Sequence, residues 1–272
     1  METILTRFLL TDRVAIVTGS GTGIGKAIAL AFAQAGADLV LAGINVLDRS
    51  KSREDLEEVA QEITALGRKS LVILADVRVA DEVGNMVRVA VGEFGHIDIL
   101  VNNAGGMFFA STMEMSENAW DAQIRGNLKP VFLCSKAVAE VMISQNRKGS
   151  IVNISSIAGR GSAVPVGTSA YGAAKAGIIN MTQTLAVEWA PYRIRVNGVA
   201  PGMINTDGVQ WLREHDPSFD ARVKATVFGR LAEPEDVAAA ALYLASDAAD
   251  YVSGHVIDVC GPQRGYADTG QQ

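Results

Sequence analysis

Short apolar runs alternate with helix-like segments along most of this 272-residue chain. The runs are rich in valine, isoleucine and leucine, which is typical of strands covered on both faces. They span residues 14–17, 39–41, 70–74, 97–101, 151–154, 194–199 and 256–259. Helices are predicted between them, at residues 23–35, 54–66, 81–94, 117–144, 171–190 and 235–245. This alternation predicts an α/β fold, in which a doubly wound parallel β-sheet of about seven strands is flanked by helices on both faces.

The same pattern predicts where a ligand binds. Right-handed crossovers place all strand C-termini along one edge of the sheet, and open α/β sheets bind ligands at that edge. No low-complexity linker interrupts the alternation, so residues 1–272 are predicted to form a single domain. Residues 203–229 follow a strand but show no strand pattern, and we interpret them as a substrate lid over this edge. An ordinary helical excursion is the alternative.

The composition argues against several classes of partner. The formal net charge is −6 at pH 7, so nucleic acid is not an expected partner. No run reaches the roughly 18 apolar residues of a spanning helix, and no signal peptide begins the chain, which predicts a cytoplasmic protein that binds no membrane. Cys134, Cys260 and the three histidines lack metal-ligand spacing, so no metal site is expected.

A glycine-rich loop directly follows the first predicted strand, and an apolar helix follows the loop. Its sequence is Thr18-Gly19-Ser20-Gly21-Thr22-Gly23-Ile24-Gly25. Glycines permit a tight turn and let backbone N–H groups approach a pyrophosphate at the helix N-terminus. Because Ile24 stands where the G-x-G-x-x-G fingerprint has its third glycine, the loop alone leaves two interpretations open, a nucleotide site and a purely structural turn.

A second loop of small residues follows the fourth predicted strand, with the sequence Asn102-Asn103-Ala104-Gly105-Gly106. Small residues let the backbone pass close to a bound ligand, and asparagine amides can join neighbouring strands. An ordinary asparagine–glycine turn explains the same sequence.

A possible acid/base group follows the fifth predicted strand. Ser155 and Ser156 end that strand, and Tyr171 and Lys175 lie four residues apart on the next helix, so their side chains share one face. A phenol with a pKa near ~10 exchanges protons poorly at neutral pH, and a neighbouring ammonium group favours its phenolate. A serine hydroxyl beside the phenol can bond a substrate oxygen as charge develops on it. No G-x-S-x-G elbow supports a serine hydrolase instead.

Together these motifs resemble the classical branch of the short-chain dehydrogenase/reductase family, from about Asp12 to Gly261. The family's elements occur in order: the T-G-x-x-x-G-x-G loop at 18–25, Asp76-Val77, N-N-A-G at 102–105, Asn127, Ser156, Y-x-x-x-K at 171–175, and Pro201-Gly202 followed by Thr206. The resemblance implies a Rossmann-type NAD(P)-binding domain. It also implies an oxidoreductase that interconverts a secondary alcohol and a ketone by hydride transfer.

The resemblance further implies a role for each matching residue. Tyr171 would exchange a proton with the substrate oxygen, and Lys175 would lower the Tyr171 pKa and bind the nicotinamide ribose. Ser156 would orient the substrate oxygen, and Asn127 would hold a water molecule in a proton relay. Asp76 would meet the adenine. The implied cofactor-binding residues are Gly19, Ser20, Thr22, Gly23, Ile24, Gly25, Asp76, Val77, Asn103, Ala104, Gly105, Tyr171, Lys175, Pro201, Gly202, Ile204 and Thr206.

The chain departs from the family pattern in three places. Ser156 lies 15 residues before Tyr171, a spacing slightly longer than the family's, which makes Ser155 the alternative serine. The usual final Asp-Gly-Gly is replaced by Cys260-Gly261-Pro262. The second strand ends at Gly43-Ile44, without the carboxylate that bonds the ribose hydroxyls of NAD and repels the 2′-phosphate of NADP.

This last departure bears on the choice of cofactor. Arg49, Lys51 and Arg53 follow the second strand and would either cover a 2′-phosphate or remain solvated. We therefore favour NADP(H) as the cofactor, with NAD(H) as the alternative.

The family's substrate segments are apolar in this chain. They carry Met107, Phe108 and Trp211, together with Phe109, Val164 and Val166. This predicts a cyclic, aromatic, steroid-like or acyl-type small-molecule substrate, although the same side chains would also suit a core or a subunit interface. The resemblance implies a homo-oligomer, a tetramer in which helices 117–144 and 171–190 pair between subunits. Two alternative functions remain: an enoyl-thioester reductase of the same family, and a non-catalytic nucleotide-sensing protein.

Overall fold

A parallel sheet forms the centre of the molecule in a computed structural model, which describes residues 3–44, 48–161, 167–215, 219–225 and 228–261. Within these ranges seven strands pair in the order β3-β2-β1-β4-β5-β6-β7, and every pairing is parallel. The strands are β1 (Val14–Thr18), β2 (Asp38–Gly43), β3 (Ser70–Leu74), β4 (Ile99–Asn102), β5 (Gly149–Ile154), β6 (Ile194–Pro201) and β7 (Val256–Val259).

Helices cover both faces of the sheet. They are α1 (Gly23–Gln34), α2 (Arg49–Ala65), α3 (Ala80–Phe94), α4 (Glu117–Ser144), α5 (Ser169–Glu188), α6 (Asp207–His215), α7 (Phe219–Ala225) and α8 (Pro234–Ala245). Helices α1, α2 and α8 contribute to one buried apolar cluster, and α3, α4 and α5 to the other. Side chains alternate along a strand, so Val17 of β1 joins the first cluster and Ile16 the second. The predicted doubly wound parallel sheet is confirmed.

Element boundaries differ from the predictions where polar residues decide them. Helix α2 begins at Arg49 rather than residue 54, because Asp48 caps it and accepts a hydrogen bond from the Lys51 N–H at 2.9 Å. Strand β4 begins at Ile99 rather than residue 97. Residues 203–229, which show no strand pattern, contain α6 and α7, and Ile204 forms a parallel bridge with Ala232 beyond this segment. No helix formed by the described ranges is long and apolar enough to cross a membrane.

A buried chain of polar side chains joins the central strands to two helices. Asn102 Nδ2 donates to Ser135 Oγ on α4 at 2.9 Å and to Asn153 Oδ1 on β5 at 2.8 Å. Asn153 Nδ2 in turn donates to Thr182 Oγ1 on α5 at 2.9 Å. All four residues are buried, so each bond satisfies a group that would otherwise be costly to desolvate. The network fixes α4 and α5 against the C-terminal edge of the sheet.

Two glycines of the loop occupy positions at which any side chain would strain or displace the backbone. Gly19 has a φ of +65°, which favours glycine. A Cβ on Gly25 would lie 2.0 Å from the Gly19 carbonyl oxygen. The start of α1 therefore packs directly on the loop that precedes it.

We expect Gly25→Ala to destabilise the fold by about 1–3 kcal/mol, because the added methyl group must displace backbone atoms. Gly84→Ala is the matched control, since Gly84 lies in α3 with no heavy atom within 4 Å of an added Cβ. That change should instead stabilise the helix by about 0.5–1 kcal/mol. Thermal unfolding of the two variants checks this, and equal shifts in melting temperature would contradict the packing described here.

Candidate active site

A cleft of about 1690 Å³ opens at the C-terminal edge of the sheet. It is larger than the roughly 300–1,000 Å³ of a typical small-molecule pocket, so it has room for a dinucleotide and a second ligand. All but one of the predicted cofactor and catalytic residues line it: Gly19, Thr22, Gly23, Ile24, Gly25, Asp76, Val77, Asn103, Ala104, Gly105, Asn127, Ser156, Tyr171, Lys175, Pro201, Gly202, Ile204 and Thr206. The exception is Ser20.

Ser20 is the one predicted residue of the glycine loop that does not line the cleft. Its side chain is completely buried, and its Oγ has no hydrogen-bond partner among the described residues. Its backbone N–H donates to the Ala42 carbonyl at 3.4 Å, which links the loop to β2. The structure therefore does not bring the Ser20 side chain together with the other predicted cofactor residues.

Asn103 connects the two small-residue loops. Its Nδ2 donates to the carbonyl oxygens of Thr18 and Gly19, each at 3.0 Å. The N–H groups of Asn103 and Ala104 donate to Thr18 Oγ1 at 3.0 and 3.1 Å. The Asn103 side chain thus holds the glycine loop in place, while the neighbouring backbone borders the cleft.

The two adjacent serines have different environments. Ser155 Oγ donates to the Lys175 carbonyl oxygen at 2.8 Å and is buried, so it connects β5 to α5. Ser156 is hydrogen-bonded to the Tyr171 side chain, and its Oγ also accepts from the Ala158 N–H at 3.2 Å. This arrangement favours Ser156 over Ser155 as the serine beside the phenol. The longer spacing before Tyr171 falls in the loop at 161–168, of which 162–166 lie outside the described residues.

Tyr171 and Lys175 adjoin at the start of α5. Lys175 Nζ lies 5.5 Å from the centre of the Tyr171 ring and donates to the Ile154 carbonyl oxygen at 2.9 Å. Burial lowers the pKa of Lys175 to about 8. Burial raises the pKa of Tyr171, and the hydrogen bond with Ser156 opposes this rise. The Tyr171 pKa thus differs from the lowered value expected beside a lysine, because desolvation of the phenolate is the largest effect.

Asn127 fastens the second loop to α4. It is buried, and its Nδ2 donates to the carbonyl oxygens of Gly106 and Gln123 at 2.9 Å each. Its Oδ1 accepts from the Gly106 N–H at 3.3 Å. One turn later, Pro130 lacks the N–H that would bond the Gly126 carbonyl in a regular helix, and Gly126 lines the cleft. This part of α4 therefore offers a carbonyl acceptor to a water molecule, a feature that the motif search missed.

One part of the cleft wall is apolar and partly exposed. Met107, Phe108 and Phe109 line the cleft with 46%, 40% and 42% of their surfaces exposed. Phe228 also lines it and was not among the predicted substrate residues. Trp211 lies on α6, but its side chain is outside the described part of the chain, as are Val164 and Val166.

The cations predicted beside the second strand have local partners in two cases. Lys51 pairs with Asp55 at 2.6 Å, and Arg53 pairs with Glu57 at 3.4 Å, both along α2. Arg49 begins that helix, and its charge helps to lower the pKa of Asp76. Arg78, which the sequence patterns did not single out, lines the cleft, as Gly43 and Ile44 also do. Arg78 therefore supplies positive charge on the cleft wall, and Arg49 acts on Asp76 from outside the lining.

Neither thiol has the environment of an activated nucleophile. Cys134 is fully buried, and burial raises its pKa to about 12. Cys260 lines the cleft beside Gly202, and partial burial together with Asp258 raises its pKa as well. Thiolates, not thiols, act as nucleophiles. Within the described ranges no cluster of histidine, cysteine or carboxylate groups is suited to a metal ion.

Comparison with known proteins identifies the family. A family model described as "Enoyl-(Acyl carrier protein) reductase" matches residues 8–261. The 2-dehydro-3-deoxy-D-gluconate 5-dehydrogenase of Escherichia coli (strain K12) is 40% identical over 258 residues, which cover 95% of this chain and 98% of that protein. The chain belongs to the classical short-chain dehydrogenase/reductase family. The resemblance noted in the sequence is thereby confirmed.

Two further relatives of this short-chain dehydrogenase/reductase have informative names. The (2S)-[(R)-hydroxy(phenyl)methyl]succinyl-CoA dehydrogenase subunit BbsD of Thauera aromatica is 42% identical over 252 residues, which cover 93% of this chain and 96% of that one. A solved structure of 7 alpha-hydroxysteroid dehydrogenase with NADH and 7-oxo glycochenodeoxycholic acid has a TM-score of 0.88 and 32% identity, covering 97% of this chain and 98% of that one. The protein is an NAD(P)-dependent oxidoreductase that acts on CH–OH groups.

We expect ketone reduction to lose efficiency as the pH rises above about 8. Lys175 is charged below its pKa of about 8 and neutral above it. If Tyr171 gives a proton to the substrate, as its place in the site predicts, the Lys175 charge would stabilise the resulting phenolate. Tyr171 itself stays protonated through this range because its pKa is raised. The pH profile of kcat/KM measures this decline.

Lys175→Arg is the matched variant, since a guanidinium stays charged throughout this pH range. In Lys175→Arg the decline of kcat/KM should move to higher pH. Lys175→Met should lower kcat/KM even at pH 7. A decline at the same pH in wild type and Lys175→Arg would show that another group is titrating.

Proposed function

We propose that this protein interconverts a secondary alcohol and a ketone on an apolar substrate, with Tyr171 as the group that exchanges the proton. The observation that carries this is the grouping of Ser156, Tyr171 and Lys175 on the wall of one cleft, with Lys175 Nζ 5.5 Å from the centre of the phenol ring. These three side chains line the same cleft as the glycine loop.

The residues present fit a nicotinamide dinucleotide. Gly19 and Gly25 let the backbone form a close cradle at the N-terminus of α1, where N–H groups favour a pyrophosphate. Thr22 precedes that helix, and its side chain makes no capping hydrogen bond, so it is free to contact a phosphate. When bound, the nicotinamide supplies or accepts the hydride. Asp76 would meet the adenine, residues 103–105 the adjacent ribose, and Ile204 and Thr206 the carboxamide.

Residues of the protein would transfer the proton and form hydrogen bonds with the substrate oxygen. In the direction of reduction, Ser156 would donate a hydrogen bond to the carbonyl oxygen, and Tyr171 would give that oxygen its proton. Lys175 would stabilise the resulting phenolate and bind the nicotinamide ribose. Asn127 would keep the second loop in position, and the Gly126 carbonyl beside it would hold the water of a proton relay. In the direction of oxidation the same groups act in reverse.

We favour NADP(H) over NAD(H). Gly43 and Ile44 provide no carboxylate at the end of β2 to repel a 2′-phosphate. Arg49 and Arg78 add positive charge nearby. Titration with NADPH and with NADH tests this preference.

The substrate is proposed to be a cyclic, aromatic, steroid-like or acyl-type compound. Met107, Phe108 and Phe109 give the cleft an apolar wall. Beside Lys175, the cations that line the cleft within the described ranges are Arg78 and Arg230, which is little positive charge for binding a small sugar acid. The relatives named for phenyl and steroid substrates agree with an apolar site, whereas the gluconate relative represents the polar alternative.

An enoyl-thioester reductase is the second candidate, because the matching family model has that description. We rank it lower because the Ser156–Tyr171 contact suits protonation of a carbonyl oxygen. A nucleotide-sensing protein without turnover is the third candidate.

The remaining proposals concern assembly and the lid. Helices α6 and α7 follow the strand end that borders the cleft, and we propose that they act as a substrate lid. Phe132 on α4 and Val187 on α5 are 51% and 78% exposed, which a homotetramer interface would cover. The two free thiols suit a cytoplasmic location.

Tyr171→Phe should lower kcat by roughly 10²–10⁴-fold and leave nucleotide affinity unchanged, because only the hydroxyl is removed. Absorbance of the reduced nicotinamide would be followed with a panel of apolar ketones, secondary alcohols and enoyl thioesters. Nucleotide affinity would be measured separately by titration.

The panel distinguishes the three candidates. Turnover of ketones and alcohols supports the proposal, and turnover of enoyl thioesters alone replaces it with the second candidate. Nucleotide binding without turnover supports the third. Substantial ketone reduction by Tyr171→Phe would reject the role of the phenol.

A further inference from the structure

Asp76 and Arg78 form a two-point ion pair at the edge of the cleft, just after β3. Arg78 Nε donates to Asp76 Oδ1 at 2.8 Å, and Nη2 donates to Oδ2 at 2.7 Å. The backbone N–H of Arg78 also donates to Oδ1 at 3.0 Å. The Asp76 side chain is 13% exposed and the Arg78 side chain 45%. The guanidinium is therefore held in place, but it is still accessible from the cleft.

The pair lies alongside the end of β2. Gly43 pairs with Leu74 in the sheet, and the Ala75 N–H donates to the Gly43 carbonyl at 3.4 Å. Beyond this point Ile44 and Arg78 both line the cleft. In sheets of this kind the end of the second strand faces the 2′ position of the adenosine ribose. Arg78 follows the neighbouring strand β3 and lines the same cleft as this strand end.

The other nearby cations are less suited to this position. Lys51 and Arg53 pair with carboxylates of their own helix. Arg49 is exposed at the start of α2 and does not line the cleft. Arg78 combines a place on the cleft wall with a fixed guanidinium, the group best matched to the geometry of a phosphate.

We propose that Arg78 binds the 2′-phosphate of NADP, and that its ion pair with Asp76 limits the strength of this binding. This inference rests on the proposed binding of a nicotinamide dinucleotide. With NAD, both Arg78 contacts stay on Asp76. With NADP, the guanidinium is shared between Asp76 and the phosphate, so the carboxylate offsets part of the attraction. The enzyme accordingly accepts both cofactors and prefers NADPH.

The experiment compares the dissociation constants of NADPH and NADH, measured by titration at one fixed ionic strength without substrate. Arg78→Gln should weaken NADPH binding about tenfold, the loss expected for a charge-assisted hydrogen bond, and leave NADH binding unchanged. Arg78→Lys should keep part of the preference, since the charge remains. Arg53→Gln is the matched control, because it removes an arginine paired along α2, and it should leave both constants unchanged.

Asp76→Asn tests the second half of the proposal. It frees Arg78 from the competing carboxylate, so the ratio of the NADH constant to the NADPH constant should rise, even if both nucleotides lose an adenine contact. If Arg78 merely orients Asp76 for the adenine, Arg78→Gln will weaken both nucleotides equally and the ratio will not change. That result would overturn the proposal and leave the oxidoreductase function intact. Failure of the wild type to bind either nucleotide would overturn both.

Discussion

The Asn103 carboxamide, bonded to the carbonyl oxygens of Thr18 and Gly19, is the contact on which the cleft depends. It fixes the glycine loop at the end of β1 to the loop at the end of β4, and both loops border the cleft. The bonds from Asn102 to Ser135 and Asn153, and from Asn153 to Thr182, extend the same frame to α4 and α5. Because α5 carries Tyr171 and Lys175, buried hydrogen bonds between amide and hydroxyl side chains help to position the two groups of the proposed mechanism against the glycine loop.

Burial acts on the two ionisable groups of the site in opposite directions. It raises the pKa of the Tyr171 phenol and lowers that of the Lys175 ammonium, because each neutral form is favoured away from water. The hydrogen bond from Lys175 Nζ to the Ile154 carbonyl keeps the amine close to the phenol. The proton therefore remains on Tyr171 at neutral pH, which suits the reduction of a ketone. In the proposed oxidation of an alcohol, Tyr171 would have to be deprotonated, and the charge of Lys175 would stabilise that form.

Local patterns predicted most of the fold, and part of the site needed the structure. Strands and long helices followed from apolar runs, because burial on both faces selects aliphatic residues. The start of α2 was missed, since its first turn is polar and depends on the Asp48 cap. The Ser156 assignment needed a contact with Tyr171 across two elements, which spacing alone does not give. The importance of Arg78 arises from its pairing with Asp76 and its position beside β2. Sequence order does not reveal such neighbours on adjacent strands.

The strand order also constrains how the protein is made. Strand β1 has β2 on one side and β4 on the other, and Thr18 bonds Asn103, which lies 85 residues further along the chain. During synthesis the amino-terminal portion must wait for that later segment to leave the ribosome before the glycine loop reaches its final shape. A nucleotide therefore cannot stabilise the first third of the chain while that part is still emerging from the ribosome. A bound nucleotide can stabilise the fold only after β4 has paired with β1.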